Sequence, residues 1–386
     1  MKKTLAEHLD PTTGPKRILS LDGGGIRGAL TLGYLKKIET ILREKEKNPA
    51  LVLSDYFDLI GGTSTGSIIA ACLAVGMNVD EVVKMYMDLG GKIFGQKRDW
   101  WKPWETLQYL KAGYDYIALE NSLKTVFGDI KLGGPELKTG LAIVAKRADT
   151  NSVWPLINHP DGKFYDSALG RNKDIFLWQA IRASSAAPTY FVPQMIDVGD
   201  GQKAAFVDGG VSMANNPALT LLMVATLKGF PFHWEMGEDK LTIVSVGTGY
   251  SIFSKKTDEI EDAWLGTWAA SVPDMLMQDA SWQNQIVLQW LSKSPTASTI
   301  DMEIGSLEGN YLGDKPLINY LRYNFPVTKD DLNGLGLGRS FDEKDVANII
   351  EMSNAGNREL LYKIGTAAAV RVEKNHFNYI NFFNRN

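Results

Sequence analysis

Across 386 residues the chain has one cysteine, Cys72, and four histidines. A lone cysteine cannot form an internal disulfide, which fits a reducing, cytoplasmic setting. Its neighbours in "SIIAACLAVGM" (67–77) are apolar, so the thiol is expected to be buried and inert. Long hydrophobic runs are missing too. That stretch and "ALTLLMVATL" (218–227) are the most apolar, and both are much shorter than the roughly 20 residues of a membrane helix. The first residues, "MKKTLAEHLDPTTGPK", have two lysines but no apolar core after them, unlike a secretory signal. Charge of one sign is also scarce, with a net of -4. Nothing draws the whole molecule to nucleic acid or to an anionic membrane, so no nucleic-acid partner is expected and any membrane contact must be local. No metal-ligand spacing is present, and neither a metal nor a cofactor is expected.

What is present is an ordinary apolar content, 44%, and 37 glycines placed where they carry meaning. Residues 1–15 are polar and contain Pro11, Gly14 and Pro15, so they read as an N-terminal tail. Residues 16–330 read as one α/β domain with a mostly parallel sheet, because strand and helix signals alternate. "KRILSL" (16–21), "YFDLI" (56–60), 139–148, 204–208 and 241–247 are the strands; helices follow Gly28, Thr65 and Pro217. Past about residue 250 the strand signal thins. The last third then reads as a helical cover, and 331–386 as a helical extension packed on the same domain.

The first strand runs into Asp22-Gly23-Gly24-Gly25-Ile26-Arg27-Gly28. Gly23, Gly25 and Gly28 have the spacing of a dinucleotide fingerprint, a weak signal by itself. The acidic residue that a nucleotide fold needs at the end of the next strand is missing, since that region is the helical "KKIETILREKEK" (36–47). A nucleotide-binding protein using this loop stays as the alternative. The more general reading is a turn whose N–H groups face outward at a helix N-terminus, where negative charge is stabilised. Arg27 either adds positive potential there and holds a substrate phosphate, or is a solvated helix-start residue.

Gly62-Thr63-Ser64-Thr65-Gly66 is a G-x-S-x-G sequence directly after a strand and directly before a helix. That context projects Ser64 from a sharp turn with its hydroxyl exposed, as a nucleophile requires. A phosphate-binding P-loop competes for the same glycines but needs lysine where Ser67 stands. Serine also needs a base. His8, His159, His233 and His376 all lack the setting of one, although His233 follows in Ser–Asp–His order. Asp208 ends the strand "AAFVD" and is followed by Gly209 and Gly210, which sets its carboxylate at the carboxyl end of the sheet. Asp208 is the best base in the sequence.

Taken together, "DGGGIRG" (22–28), "GTSTG" (62–66), "RASSAAPTYF" (182–191) and "DGG" with "NNP" (208–210, 215–217) resemble the patatin-like phospholipase family over residues 16 to about 250. The resemblance implies a three-layer α/β/α fold and hydrolysis of lipid acyl esters by a Ser–Asp dyad without histidine. It makes Ser64 the nucleophile, Asp208 the base, and the N–H groups of Gly23, Gly24 and Gly25 the oxyanion hole. The substrate would be membrane phospholipid, met peripherally at the inner-membrane surface. "NHPDGKFYD" (158–166) and residues 172–191 look most like bacterial members, some of which are anti-phage effectors switched on by a cyclic oligonucleotide. A constitutive esterase or lipase of lipid turnover is the plainer version. Two aromatic stretches, "DWWKPW" (99–104) and "WQNQIVLQW" (282–290), suit either a lipid interface or core packing.

Overall fold

A computed structural model of the chain describes residues 2–93, 116–188, 190–199, 201–252, 257–261 and 265–377. "DWWKPW" lies outside the described residues. The strands among them are β1 (Lys16–Leu21), β2 (Leu59–Thr63), β3 (Gly140–Arg147), β4 (Ser152–Ile157), β5 (Gln194–Asp197), β6 (Lys203–Asp208), β7 (Leu241–Val246), β8 (Ser292–Lys293) and β9 (Ile318–Tyr323). β1, β2, β7 and β9 are buried along their whole length. Strands covered on both faces are the mark of a parallel sheet between helical layers. All nine join one sheet, in the order β5-β6-β3-β2-β1-β7-β9-β8, with β4 also paired to β3. The run from β3 through β8 is parallel, while β4, β5 and β6 pair antiparallel.

Side chains alternate between two cores, as the period of a strand demands. On one face Leu19, Leu21, Ile60 and Val244 pack with helices Gly28–Lys45, Thr65–Ala74 and Leu177–Ser184. On the other, Ile18, Leu59 and Ile243 meet helix Ala218–Thr226, with Leu288 from the long helix Leu265–Leu291. The result is the expected α/β/α sandwich. Leu35, Ile38 and Leu42 are fully buried or nearly so, and Cys72 is fully buried, with its thiol pushed up by desolvation.

Two expectations need correction. Residues 1–15 are not a tail: Leu5–Leu9 is a short helix capped by Thr4, and His8 and Leu9 are buried. Asp58, itself fully buried, draws it in by binding Lys3 Nζ at 2.7 Å and His8 Nδ1 at 2.8 Å. Nor is the last third only a helical cover, because β8 and β9 lie there and β9 is an interior strand. Its "INYLRY" carries asparagine and arginine at buried positions, which hides the apolar signal a strand usually gives. Helix Arg358–Ala368, in the C-terminal region, crosses Gly28–Lys45 where Gly365 meets Gly33.

Candidate active site

Ser64 links β2 to the helix Thr65–Ala74 and has φ 53°, ψ -123°. A serine with positive φ is strained, and such strain persists only where the surroundings enforce it. The flanking glycines explain how. A Cβ on Gly62 would sit 2.2 Å from Gly66 backbone atoms, and one on Gly66 would sit 2.2 Å from the Leu21 carbonyl. Strand, helix and neighbouring strand close onto each other around Ser64. Its N–H donates to Ser184 Oγ at 2.9 Å, and Ser184 donates in turn to the Val144 carbonyl at 2.6 Å.

The sheet brings Asp208 to the same place. One edge of β3 is shared by two strands: β2 runs parallel along it and ends with Thr63 opposite Val144, while β6 runs antiparallel and ends with Asp208 opposite Ala145. β4 takes the other edge of the same residues. The two strand ends therefore meet head-on, and Ser64 and Asp208 are the residues at the junction. Asp208 N–H donates to the Ala186 carbonyl at 3.0 Å, so "RASSAAPTYF" fastens both partners, Ser64 through Ser184 and Asp208 through Ala186. Burial pushes the Asp208 carboxyl up to about 6, against hydrogen bonds from Ser64 and the Gly210 N–H, which pull it down. A carboxylate with its affinity for protons raised in this way is a better base than one in water.

The glycine loop borders Ser64. Its carbonyls are tied back: Gly23 O accepts from Thr248 Oγ1 at 2.9 Å, Gly24 O from the Arg27 N–H at 3.1 Å, and Gly25 O from Tyr86 Oη at 2.7 Å. The expected three-donor hole is reduced to two, because the Gly23 N–H already donates to the Asn215 carbonyl at 3.0 Å. Gly24 and Gly25 keep N–H groups without an acceptor among the described residues and line the cavity at Ser64. Gly23 instead provides clearance, since a Cβ there would come 3.3 Å from Ser64 Cβ and 2.5 Å from Asn215 Oδ1. Gly25 has φ +57°, and a Cβ would lie 2.4 Å from the Met352 carbonyl. Arg27 does not line the cavity: its Nε approaches the Gly24 carbonyl at 3.5 Å, and its charge acts on Asp22.

Behind the loop, Asp22 accepts two hydrogen bonds from Arg322 of β9, at 2.9 and 2.6 Å, and Arg322 also donates to Ser245 at 2.7 Å. Burial opposes the guanidinium charge, but the Asp22 carboxylate outweighs it and holds Arg322 protonated. A buried bidentate pair of this kind fixes direction, which the loop needs if its N–H groups are to point one way. Nothing in the sequence marks Arg322 as part of the site; it is 300 residues from its partner. Asn284 was equally invisible. It donates to the Met213 and Asn216 carbonyls at 2.7 and 2.9 Å, holding the "NNP" turn that meets Gly23.

The cavity has a volume of about 460 Å³. Ser64, Asp208, Gly24 and Gly25 gather at one place on its wall, and Ile68, Leu89, Leu119, Phe191, Met277 and Met352 make it apolar. No histidine lines it. His8 is bound to Asp58, His159 lies against Phe232, His376 bonds Tyr323 Oη, and His233 is exposed. "WQNQIVLQW" mostly packs: Leu288 is in the core, Asn284 holds the turn, Trp282 meets Tyr250, and Trp290 is 39% exposed.

Residues 19–222, just over half of the chain, match the family model of the patatin-like phospholipases. Patatin-17 of Solanum cardiophyllum is 28% identical over 271 residues, 66% of this chain and 65% of that protein. A cGAMP-activated phospholipase of Escherichia coli (strain TW11681) is 30% identical over 238 residues, 60% of this chain and 62% of that protein. The chain thus spans a little under two thirds of the length of these two relatives. Among solved structures, human GIVD cytosolic phospholipase A2 gives a TM-score of 0.45 at 10% identity, covering 96% of this chain and 61% of that one. With a family match that begins in β1, passes through the serine elbow and ends in the helix after Asp208, this chain belongs to the patatin-like phospholipase family.

Proposed function

We propose that the chain hydrolyses the acyl esters of membrane phospholipids, with Ser64 as nucleophile and Asp208 as its base. The observation that carries the reading is the head-on meeting of β2 and β6, which sets a strained serine beside a carboxylate raised to about 6, in an apolar cavity without histidine. In this reading Ser64 Oγ adds to the acyl carbonyl carbon while Asp208 accepts the hydroxyl proton. The carbonyl oxygen becomes an anion and takes hydrogen bonds from the Gly24 and Gly25 N–H groups, each such donor being worth about 3–4 kcal/mol in sites of this type. Collapse breaks the ester C–O bond, and the leaving oxygen takes the proton from Asp208, giving lysolipid and acyl-Ser64. Water then adds to the acyl group, its proton passing to Asp208 and on to Ser64, and fatty acid leaves. Arg27 acts here on the loop, by holding Gly24, rather than on substrate.

Peripheral contact with lipid has support at the cavity. Val211 and Met277 line it, and Met213, Val272 and Leu276 close by in the chain are 63%, 42% and 62% exposed. Grouped exposed apolar side chains of this kind are the ordinary signature of an interaction surface. No helix among the described residues is long and apolar enough to cross a membrane. Free fatty acid and lysolipid released from phospholipid vesicles, measured by mass spectrometry for wild type and Ser64→Ala, test the reading. Release by both proteins, or by neither with and without a cyclic dinucleotide panel, would sink it.

Activation by a cyclic dinucleotide, in anti-phage defence, is favoured by the relative named for its activation by cGAMP. It predicts low basal release that rises with one member of a cyclic dinucleotide panel. Full activity without any nucleotide would instead mark a constitutive lipase.

A further inference from the structure

A second cavity, of about 380 Å³, opens at the carboxyl ends of β7 and β9 and shares no lining residue with the cavity at Ser64. Its size falls in the roughly 300–1,000 Å³ range of small-molecule sites. Two pairs of rings stand in its wall. Tyr250 and Trp282 meet edge to face, with centroids 5.8 Å apart and planes at 82°, and Tyr34 and Tyr323 stack at 6.1 Å and 25°. Such surfaces offer both faces and edges to a flat ring. Gln278 and Asn324 add amide groups, which both donate and accept.

Two buried polar atoms of residues on this wall have no hydrogen-bond partner among the described residues. They are Tyr34 Oη, on a fully buried residue, and Arg322 Nε, on a side chain 6% exposed. Buried groups of this kind are costly to leave unmet, so a ligand that shifts these side chains enough to reach them would satisfy them. The ionisable residues lining the cavity are Arg322, Arg371, Glu373 and His376, whose imidazole burial pushes toward the neutral form. Arg322 is already matched by Asp22, which leaves exposed Arg371 as the place for an anion, with Glu373 beside it opposing.

We propose that this cavity binds a nucleotide, its base against Tyr250 and Trp282 with an edge on Tyr34 Oη and its phosphate at Arg371, and that the ligand acts on the Ser64 site through Arg322. Arg322 lines this cavity, and its guanidinium holds Asp22, the residue directly before Gly23. A ligand that moves Arg322 therefore moves the loop carrying the Gly24 and Gly25 donors. Only the activity arm of the test rests on the regulated-hydrolase reading above.

The test uses the full chain with AMP, GMP and 3′,3′-cyclic GMP–AMP as probes, binding followed by calorimetry and hydrolysis by fatty-acid release. Wild type and Ser64→Ala should bind one of the three equally well. Trp282→Ala should weaken that binding about tenfold, the usual effect of losing one stacking ring, and Arg371→Glu at least as much, while Glu373→Gln should tighten it. The nucleotide should change kcat in wild type, and Trp282→Ala should need about ten times the concentration for the same change. No binding of any probe, or an unchanged Kd in both Trp282→Ala and Arg371→Glu, overturns the site. Should Trp282→Ala fail to fold by circular dichroism, Arg371→Glu, on the exposed rim, decides. Binding without a change in kcat overturns the link through Arg322. Nucleotide binding in a protein that never releases fatty acid defeats the hydrolase reading alone, and fatty-acid release without nucleotide binding defeats only this site.

Discussion

The two cavities of this molecule are built in opposite ways. The one at Ser64 is made by backbone: two strand ends meeting on β3, a serine at φ 53°, and a glycine loop whose carbonyls are tied back. The one at Arg322 is made by side chains that stand on six separate stretches, from Tyr34 to His376. Backbone constraint leaves a local mark, since only glycine survives where a Cβ would lie 2.2 Å from another chain segment. A wall of tyrosine, tryptophan and arginine leaves none, because each of those residues is at home in many other settings.

Five substitutions sharpen this contrast. The largest effect belongs to Ser64→Ala, which should remove fatty-acid release by a factor of at least ~10³ with no loss of Tm, since it deletes the hydroxyl proposed as nucleophile and keeps the fold. Asp208→Asn should cost about as much activity. Its second signature is pH: in wild type kcat/KM should fall as pH drops through about 6, because the base must be ionised to accept the serine proton. The same raised value carries a stability effect of opposite sense. Burial favours the protonated form, so this carboxyl stabilises the fold most below its unfolded value of 3.8, and that contribution is lost as pH rises through about 6. Asp208→Asn should therefore melt at a higher temperature than wild type at pH 8, by calorimetry, while being inactive.

Gly25→Ala comes next. The new Cβ would overlap the Met352 carbonyl at a φ of +57°, which should displace an oxyanion donor and lower kcat about 10²-fold in steady-state assays. Ser184→Ala should lower kcat about tenfold, because Ser64 loses the acceptor of its N–H and the strained turn relaxes. A smaller effect than on Gly25→Ala is expected, since the flanking glycines still enforce the turn. His233→Ala should change activity less than twofold; the ring is exposed and does not line the cavity. A large loss there would replace the Ser–Asp pairing with a histidine triad.

Much of the fold and the centre of the candidate site were legible in the sequence. The strands at 16–21, 139–148, 204–208 and 241–247 carry mostly apolar runs, Ser64 directly follows a strand between Gly62 and Gly66, and Asp208 ends one beside Gly209. Reading failed where polarity is buried. β9 was hidden by Asn319 and Arg322, which a strand of this sheet holds at 2% and 9% exposure. The segment before β1 looks like a tail in the sequence because its anchor, Asp58, lies about fifty residues from His8. Gly23 was read as a donor, and only the position of the Asn215 carbonyl shows its N–H to be occupied.

The sequence by itself determined which atoms are available: a serine in a turn that glycine alone permits, a carboxylate at a strand end, and a loop of bare N–H groups. These depend on residues within a few positions of one another, where local sterics decide. Tertiary structure alone decided which of those atoms face each other, that β2 and β6 end against adjacent residues of β3, that Arg322 aims the loop through Asp22, and that no histidine is near. Those are pairings between segments tens to hundreds of residues apart, fixed by the register of one sheet, and a single chain of letters carries no register.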